Sequence, residues 1–278
     1  MYQLGGFPFV CIPGIPDSEE TYQSGTHDGL ELSLLGRWLR RGDGCIDVGA
    51  NLGLYSLAAS HFLHGSGTVL AIEASPELAE SLRASALRLG ARNLVVESCV
   101  VGAANQSVTF YTSRSGRFTG EQSLHPNPQF SDDYLPRDLP MRTLQEILVH
   151  FPAFSQPAAV KIDIEGNELA ALTKTPPGWL TAQGPLWIAE INPLALARNG
   201  CAGAALAECF SADAFERWLS PKHARSGERD PPPRKYSPAE PFADAWFYNL
   251  IAIPRGNKWR DRLPELVAFL ARPVSVRL

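Results

Sequence analysis

Between Cys45 and Glu97 the sequence alternates short apolar runs with longer stretches of helical period, and few folds accommodate that pattern. Cys45-Ile46-Asp47-Val48 reads as a strand that runs into a glycine turn. The next stretch, 53–62, reads as a helix with Leu54, Leu57, Ala58 and Phe62 facing inward. A second apolar run at 68–72 ends on Glu73. Ser75-Pro76-Glu77 then supplies a capping hydroxyl, a proline for the first helical position and an acid on the helix dipole. Leu78, Leu82, Ala86 and Leu89 give that helix its inner stripe, Gly90 closes it, and 93–97 reads as a third strand. Strands alternating with helices predict a parallel sheet covered on both faces and joined by right-handed crossovers.

The rest of the chain fills in around this unit. The first 25 residues are rich in Gly and Pro, and residues 1–29 read as an arm or cap. The spacing of Leu30, Leu34, Leu35, Trp38 and Leu39 predicts a helix, with Asp28 as its cap and Glu31 three residues on. Residues 100–111 suggest an extra hairpin, and 113–140 a long polar loop containing four prolines. A helix at 144–149, buried strands at 158–164 and 185–190, and a helix at 203–219 follow. Residues 221–241 hold six prolines and read as a second long loop. A last strand at 246–253 precedes a final helix marked by Leu263, Leu266, Val267 and Leu270. The expected organisation is thus an arm (1–29), one α/β domain (30–255) with insertions at 113–140 and 221–241, and a C-terminal helix (256–278). Loops of that length in a compact domain are commonly lids over a site.

Composition narrows the function classes. With 45% hydrophobic and 19% charged residues among 278, the chain is ordinary globular protein. A net charge of −4 disfavours nucleic acid as a partner. The five cysteines form no CxxC pair, which argues for reduced thiols over a zinc site. No apolar run approaches the roughly 20 residues that a membrane span needs. The start of the sequence has no basic, apolar leader pattern. A soluble, cytoplasmic protein with no membrane partner is the expectation.

The site residues cluster at strand ends. Asp47-Val48-Gly49-Ala50-Asn51-Leu52-Gly53 follows a strand and opens a helix, where an open α/β sheet binds its cofactor. A dinucleotide fingerprint would place a glycine where Ala50-Asn51 stands, so a nicotinamide dehydrogenase is a distant alternative. Asp47 within the turn repels phosphate and suits a ligand with an amino group, as in S-adenosylmethionine. Glu73 is placed to grip both ribose hydroxyls. Val160 to Ile162 and Trp187 to Ala189 also run apolar into acids, Asp163 and Glu190. Four strand-end carboxylates along one rim are more than helix capping readily explains.

In that order, Asp47-Val48-Gly49-Ala50-Asn51-Leu52-Gly53, Glu73-Ala74-Ser75-Pro76, Lys161-Ile162-Asp163-Ile164-Glu165-Gly166-Asn167-Glu168 and Glu190-Ile191-Asn192-Pro193 resemble the FkbM-type methyltransferase family. The match spans roughly residues 26–200 and Tyr248 to Ala252. Ser123-Leu124 is similar to a serine–leucine element of the family's middle loop. The resemblance implies a class I methyltransferase, Rossmann-like α/β fold: a seven-stranded, mostly parallel sheet in the order 3-2-1-4-5-7-6 with helices on both faces. It also implies S-adenosylmethionine as cofactor, held by Asp47, Gly49, Ala50, Asn51, Gly53, Glu73, Ala74, Ser98 and Asp163. The implied reaction is O-methylation of a small-molecule acceptor, a sugar or natural-product hydroxyl.

Methyl transfer from a sulfonium needs alignment, exclusion of water and removal of the acceptor's proton. Asp163 is the first candidate at the reactive end, and His27 and His125 are candidate bases because they flank the predicted site. A magnesium-assisted reaction is the alternative, with Asp163, Glu190 and Asn192 as hard oxygen ligands. Other functional alternatives are N- or carboxyl-methylation of a small molecule or peptide, and a cofactor-binding domain without turnover. The fold is also compatible with a homodimer.

Overall fold

The structure, a computed structural model, describes residues 2–4, 7–9, 28–223, 231–239, 242–244 and 246–271. In chain order, β1 (Tyr2–Leu4) and β2 (Phe7–Phe9) form an antiparallel ribbon. Then come α1 (Gly29–Trp38), β3 (Gly44–Val48), α2 (Leu54–Phe62), β4 (Thr68–Ile72), α3 (Pro76–Leu89) and β5 (Leu94–Glu97). The middle of the chain contributes β6 (Val100–Val101), β7 (Gln106–Ser113), β8 (Tyr134–Arg142), α4 (Leu144–His150), β9 (Ala159–Ile162) and α5 (Glu168–Leu172). The last part holds β10 (Leu186–Ile191), α6 (Pro193–Arg198), α7 (Gly203–Glu208), β11 (Phe215–His223), β12 (Arg234–Lys235), β13 (Trp246–Pro254) and α8 (Leu263–Leu270).

The main sheet runs β5-β4-β3-β9-β10-β13-β11, the order the resemblance implies, and the two-residue β12 adds an eighth strand at the edge. The pairs from β5 to β10 are parallel, and β13 is antiparallel to both its neighbours. Both faces are covered, so the parallel strands are apolar almost throughout. Successive side chains divide between two cores. Cys45, Val69 and Ile188 pack under α1, α2 and α8, whereas Ile46, Val48, Leu70 and Trp187 pack under α4, α6 and α7. The capping signals act as the sequence predicts at α3: the Ser75 hydroxyl accepts from the Leu78 N–H, and Gly90 ends the helix at φ 68°. Among the described residues no helix is long and apolar enough to cross a membrane.

Several expectations are corrected. Residues 134–142 are a strand, not loop: β8 pairs antiparallel with all of β7 and parallel with β6, so residues 100–111 find their partner there and not in each other. Its prolines are tolerated because β6 borders only Met141 and Arg142, leaving the flank that carries Pro136 and Pro140 unpaired. The helix expected over 203–219 stops at Glu208, and β11 follows it. Phe215, Trp218 and Leu219 fit a helical stripe and a strand equally well by spacing. In the sheet Phe215 and Leu219 enter one core and Trp218 the other. The loop expected at 221–241 opens as the end of β11, and β12 returns against Trp218 and Leu219. Asp28 stands at the start of α1 but its side chain does not cap it. Instead it accepts from the Tyr55 hydroxyl at 2.9 Å and pairs with Lys222 at 3.5 Å. The arm at 1–29 lies mostly outside the described residues.

Candidate active site

The first turn is built by glycines whose neighbours are protein. Gly49 sits at φ 80°, and a Cβ there would lie 1.7 Å from the Asp163 carbonyl oxygen. Gly53 opens α2 at φ 88°, where a Cβ would meet Leu82 at 2.2 Å. The turn therefore packs against the end of β9 and the flank of α3, and its glycines serve that packing. Asn51 takes the left-handed conformation between them at φ 48°, which asparagine tolerates better than most residues.

Glu73, at the end of β4, fastens this turn. One carboxylate oxygen accepts from the Asn51 N–H at 2.7 Å and the other from the Ser75 N–H at 2.8 Å. Burial raises its pKa to about 7, against the pull of those N–H groups. Asp47 has a different position. It shares the Cys45 face of β3, beneath α2, and its carboxylate accepts from the Ser56 hydroxyl at 2.5 Å. Burial raises its pKa, with Lys161, its register partner on β9, opposing.

The second turn, after β9, is pinned by its own acids. Glu165 and Gly166 adopt φ 53° and 96°. Glu168 accepts from the Ile164 and Gly166 N–H groups at 2.7 and 3.3 Å, and burial lifts its pKa to about 7. Asn167 donates to the Val101 carbonyl at 2.7 Å, tying the turn to β6. Lys161, buried, donates to Asp163 at 2.8 Å and lies 4.9 Å from the Tyr55 ring centre. Burial lowers the Lys161 pKa, but Asp163, Asp47 and Glu190 outweigh it and raise the net value. Carboxylate oxygens of Asp163, Glu165 and Glu190 lie within 4.8 Å of one another. Burial, then mutual repulsion with Asp163 first, drives Glu165 and Glu190 well above the ordinary carboxylate range.

Two adjoining cavities meet at this second turn. The first, an open cleft of about 630 Å³ counted out into solvent, is lined by Gly49, Asn51, Glu73, Ala74, Cys99, Gln122 and Asp163 among others. The second, about 1320 Å³, is lined by Asp28, Tyr55, Glu121, Lys161 and Glu190 together with aromatic rings of Phe118, Phe130 and Phe247. Asp163 and Glu165 face both, as do Gly49, Asn51 and Gly120.

Of the residues expected at the cofactor, Gly49, Asn51, Glu73, Ala74 and Asp163 line the first cavity and Ala50 the second. Asp47 and Gly53 lie beneath the turn and do not line it, and at the end of β5 the lining residue is Cys99, not its neighbour Ser98. His125 is exposed and lines neither cavity; its carbonyl accepts from Arg198 at 3.0 Å. His27 lies outside the described residues. The oxygen set expected for magnesium is not assembled as proposed. Asn192 commits its Oδ1 to the Ala195 N–H at 3.0 Å, capping α6, and turns its amide nitrogen toward Glu165. Sequence reasoning missed Tyr55, Asp28 and Gln122. Tyr55 follows the first turn directly, which is a usable signal; the other two are brought in by distant segments.

Residues 47–197 match the family model for the methyltransferase FkbM domain. No curated protein sequence matches the chain significantly. Among solved structures, the FkbM methyltransferase of Methylobacillus flagellatus KT is 17% identical at a TM-score of 0.45, covering 77% of this chain and 44% of that one. The precorrin-6y C5,15-methyltransferase of Geobacter metallireducens GS-15 is 12% identical at a TM-score of 0.41, covering 89% and 93%. A SAM-dependent O-methyltransferase of Thermotoga maritima is 13% identical at 0.39, covering 84% and 67%.

Proposed function

The chain belongs to the FkbM methyltransferase domain family, and from that premise we propose that this S-adenosylmethionine-dependent methyltransferase holds its cofactor in the first cavity and methylates a hydroxyl of a sugar or natural product in the second. The observation that carries the assignment is the shared wall: Asp163 and Glu165 border both cavities, so a donor on one side faces an acceptor on the other.

The residues fit the cofactor. The Glu73 carboxylate lines the first cavity and retains lone pairs for hydroxyl donors. Asn51 Oδ1 is buried there without a hydrogen-bond partner among the described residues. When bound, the cofactor supplies an electrophilic methyl group on a sulfonium. Glu73 would hold the ribose, and the backbone of Gly49 to Asn51 would bound the cofactor's tail. Asp163, oriented by Lys161, would align the acceptor hydroxyl and accept its proton. Within the expected 113–140 insertion, Thr119, Gly120 and Gln122 line the first cavity and Gly120 and Glu121 the second, so this segment would cap the site. A cytoplasmic setting is in keeping with free thiols at Cys45, Cys99, Cys201 and Cys209.

A second reading, transfer to nitrogen, is favoured by one feature. The second cavity is lined by Asp28, Glu121, Asp163, Glu165 and Glu190; Lys222, Arg198 and Lys161 pair with the first three, and Glu165 and Glu190 are left as carboxyls able to meet an amine-bearing acceptor. Calorimetry with S-adenosylmethionine, S-adenosylhomocysteine and NAD tests the cofactor assignment. Micromolar binding of the first two is expected, about −7 to −8 kcal/mol; tighter binding of NAD would overturn it. Turnover with matched hydroxyl and amino forms of one acceptor separates the two readings.

A further inference from the structure

Gln122 is one of the residues lining the first cavity, and the reaction proposed for the site leaves it without a role. The residue is 9% exposed, and its Oε1 is buried with no hydrogen-bond partner among the described residues. A buried amide oxygen is costly to leave unpaired. Its backbone is firmly placed. Ser123, the next residue, exchanges backbone hydrogen bonds with Tyr111 at 3.0 and 3.3 Å, and a single 3-10 turn, Thr119–Glu121, precedes it.

The surroundings narrow the missing donor. Ile72, Val100, Phe110 and Leu124 give the cavity apolar lining, and Val100, Phe110 and Leu124 pack with Met141 in a small core of their own, forming an apolar wall. That wall suits a flat ring. Glu73 is available to hydroxyls, and Asp163 and Glu165, at the border with the second cavity, suit a cationic donor. A neutral amide beside an apolar wall matches a neutral N–H on a ring. We infer that Gln122 recognises the 6-amino group of the cofactor's adenine, which makes it a specificity-determining residue supplied by the insertion and not by the parallel-sheet turns. The inference rests on the cofactor reading given above.

Calorimetry with S-adenosylhomocysteine, and with its analogue bearing purine in place of adenine, tests it. The wild type should prefer the amino-bearing ligand by about tenfold. Gln122→Leu should weaken binding of S-adenosylhomocysteine to about the level of the purine analogue and leave the analogue's affinity unchanged. Gln122→Glu, which keeps an oxygen acceptor, should retain most of the preference. Because the leucine variant removes an unpaired polar group, its unfolding midpoint should hold or rise. A wild type that binds both ligands alike, or a leucine variant that keeps the preference, overturns the inference and leaves the cofactor reading standing. Should the leucine variant fail to fold, the wild-type comparison of the two ligands decides. A wild type that does not bind S-adenosylhomocysteine at all overturns both.

Discussion

The sides proposed for the cofactor and for the acceptor are fastened in different ways. On the cofactor side the acids hold backbone N–H groups, three of them within two to four residues in sequence, with the Asn51 N–H and the Asn167–Val101 contact as longer ties. Glu73 holds Ser75 two residues on, and Glu168 holds the turn just before it. On the acceptor side the contacts join side chains from far apart. Lys222 at the end of β11 meets Glu31 of α1, 191 residues away, at 2.8 Å, and Asp28 at 3.5 Å. Tyr55 of α2 completes the group through Asp28. Local backbone closure makes the cofactor turns a property of short motifs. Long-range ion pairing makes the acceptor wall a property of the assembled fold, and so open to change without disturbing the turns.

The sharpest way to break that contrast is Gly49→Ala. The added methyl would overlap the Asp163 carbonyl, and the left-handed φ adds strain. A loss of about 4 kcal/mol or more is expected, with cofactor binding abolished. Chemical denaturation and calorimetry read both effects. A variant of near wild-type stability would mean that the turn yields more easily than its packing suggests. Next in size is Lys222→Met, which leaves the fully buried Glu31 unpaired and should cost about 3 kcal/mol of stability. If the two sides are as separate as their contacts imply, S-adenosylhomocysteine affinity in the folded variant stays within about threefold. A large loss of affinity would show the two sides to be coupled. Glu73→Ala should act on the other side: it should weaken cofactor binding by about 1.5–3 kcal/mol, and the protein should still fold although the Asn51 and Ser75 N–H groups lose their acceptor.

The same contrast explains what the sequence could reveal. The first turn, Glu73 and the second turn were legible because each is one contiguous motif at a strand end. Gly49 is demanded by the close approach of the Asp163 carbonyl, which the motif alone does not reveal. Asp47 was assigned to the ligand although the period of a strand places it beside Cys45, facing α2. Phe215, Trp218 and Leu219 were ambiguous in spacing, and only pairing with β13 decides for a strand. Asp28, Gln122 and Lys222 carried no local signal, because what they do depends on partners brought by other elements.

The smallest expected effect concerns pH, and it again separates the sides. The folded pKa of Glu73 is about 7, raised by burial from the 4.5 of a free carboxyl. A raised acid binds its proton more tightly when folded, so its contribution to stability is full below about 4.5 and is lost as pH rises through 7. Glu168 acts in the same window and direction, so the ligand-free protein should become less stable between pH 4.5 and 8. Binding should run the other way. Ribose hydroxyls donate to the ionised carboxylate, which grows from about a tenth of the population at pH 6 to about nine tenths at pH 8. Affinity for S-adenosylhomocysteine should therefore rise about tenfold across that interval, and the rise should vanish in Glu73→Ala. In Lys222→Met it should persist, because Lys222 pairs with Glu31 and Asp28 on the far side of the site. A flat affinity profile in the wild type would remove Glu73 from the ribose, and a profile lost in Lys222→Met would tie the cofactor turn to the acceptor wall.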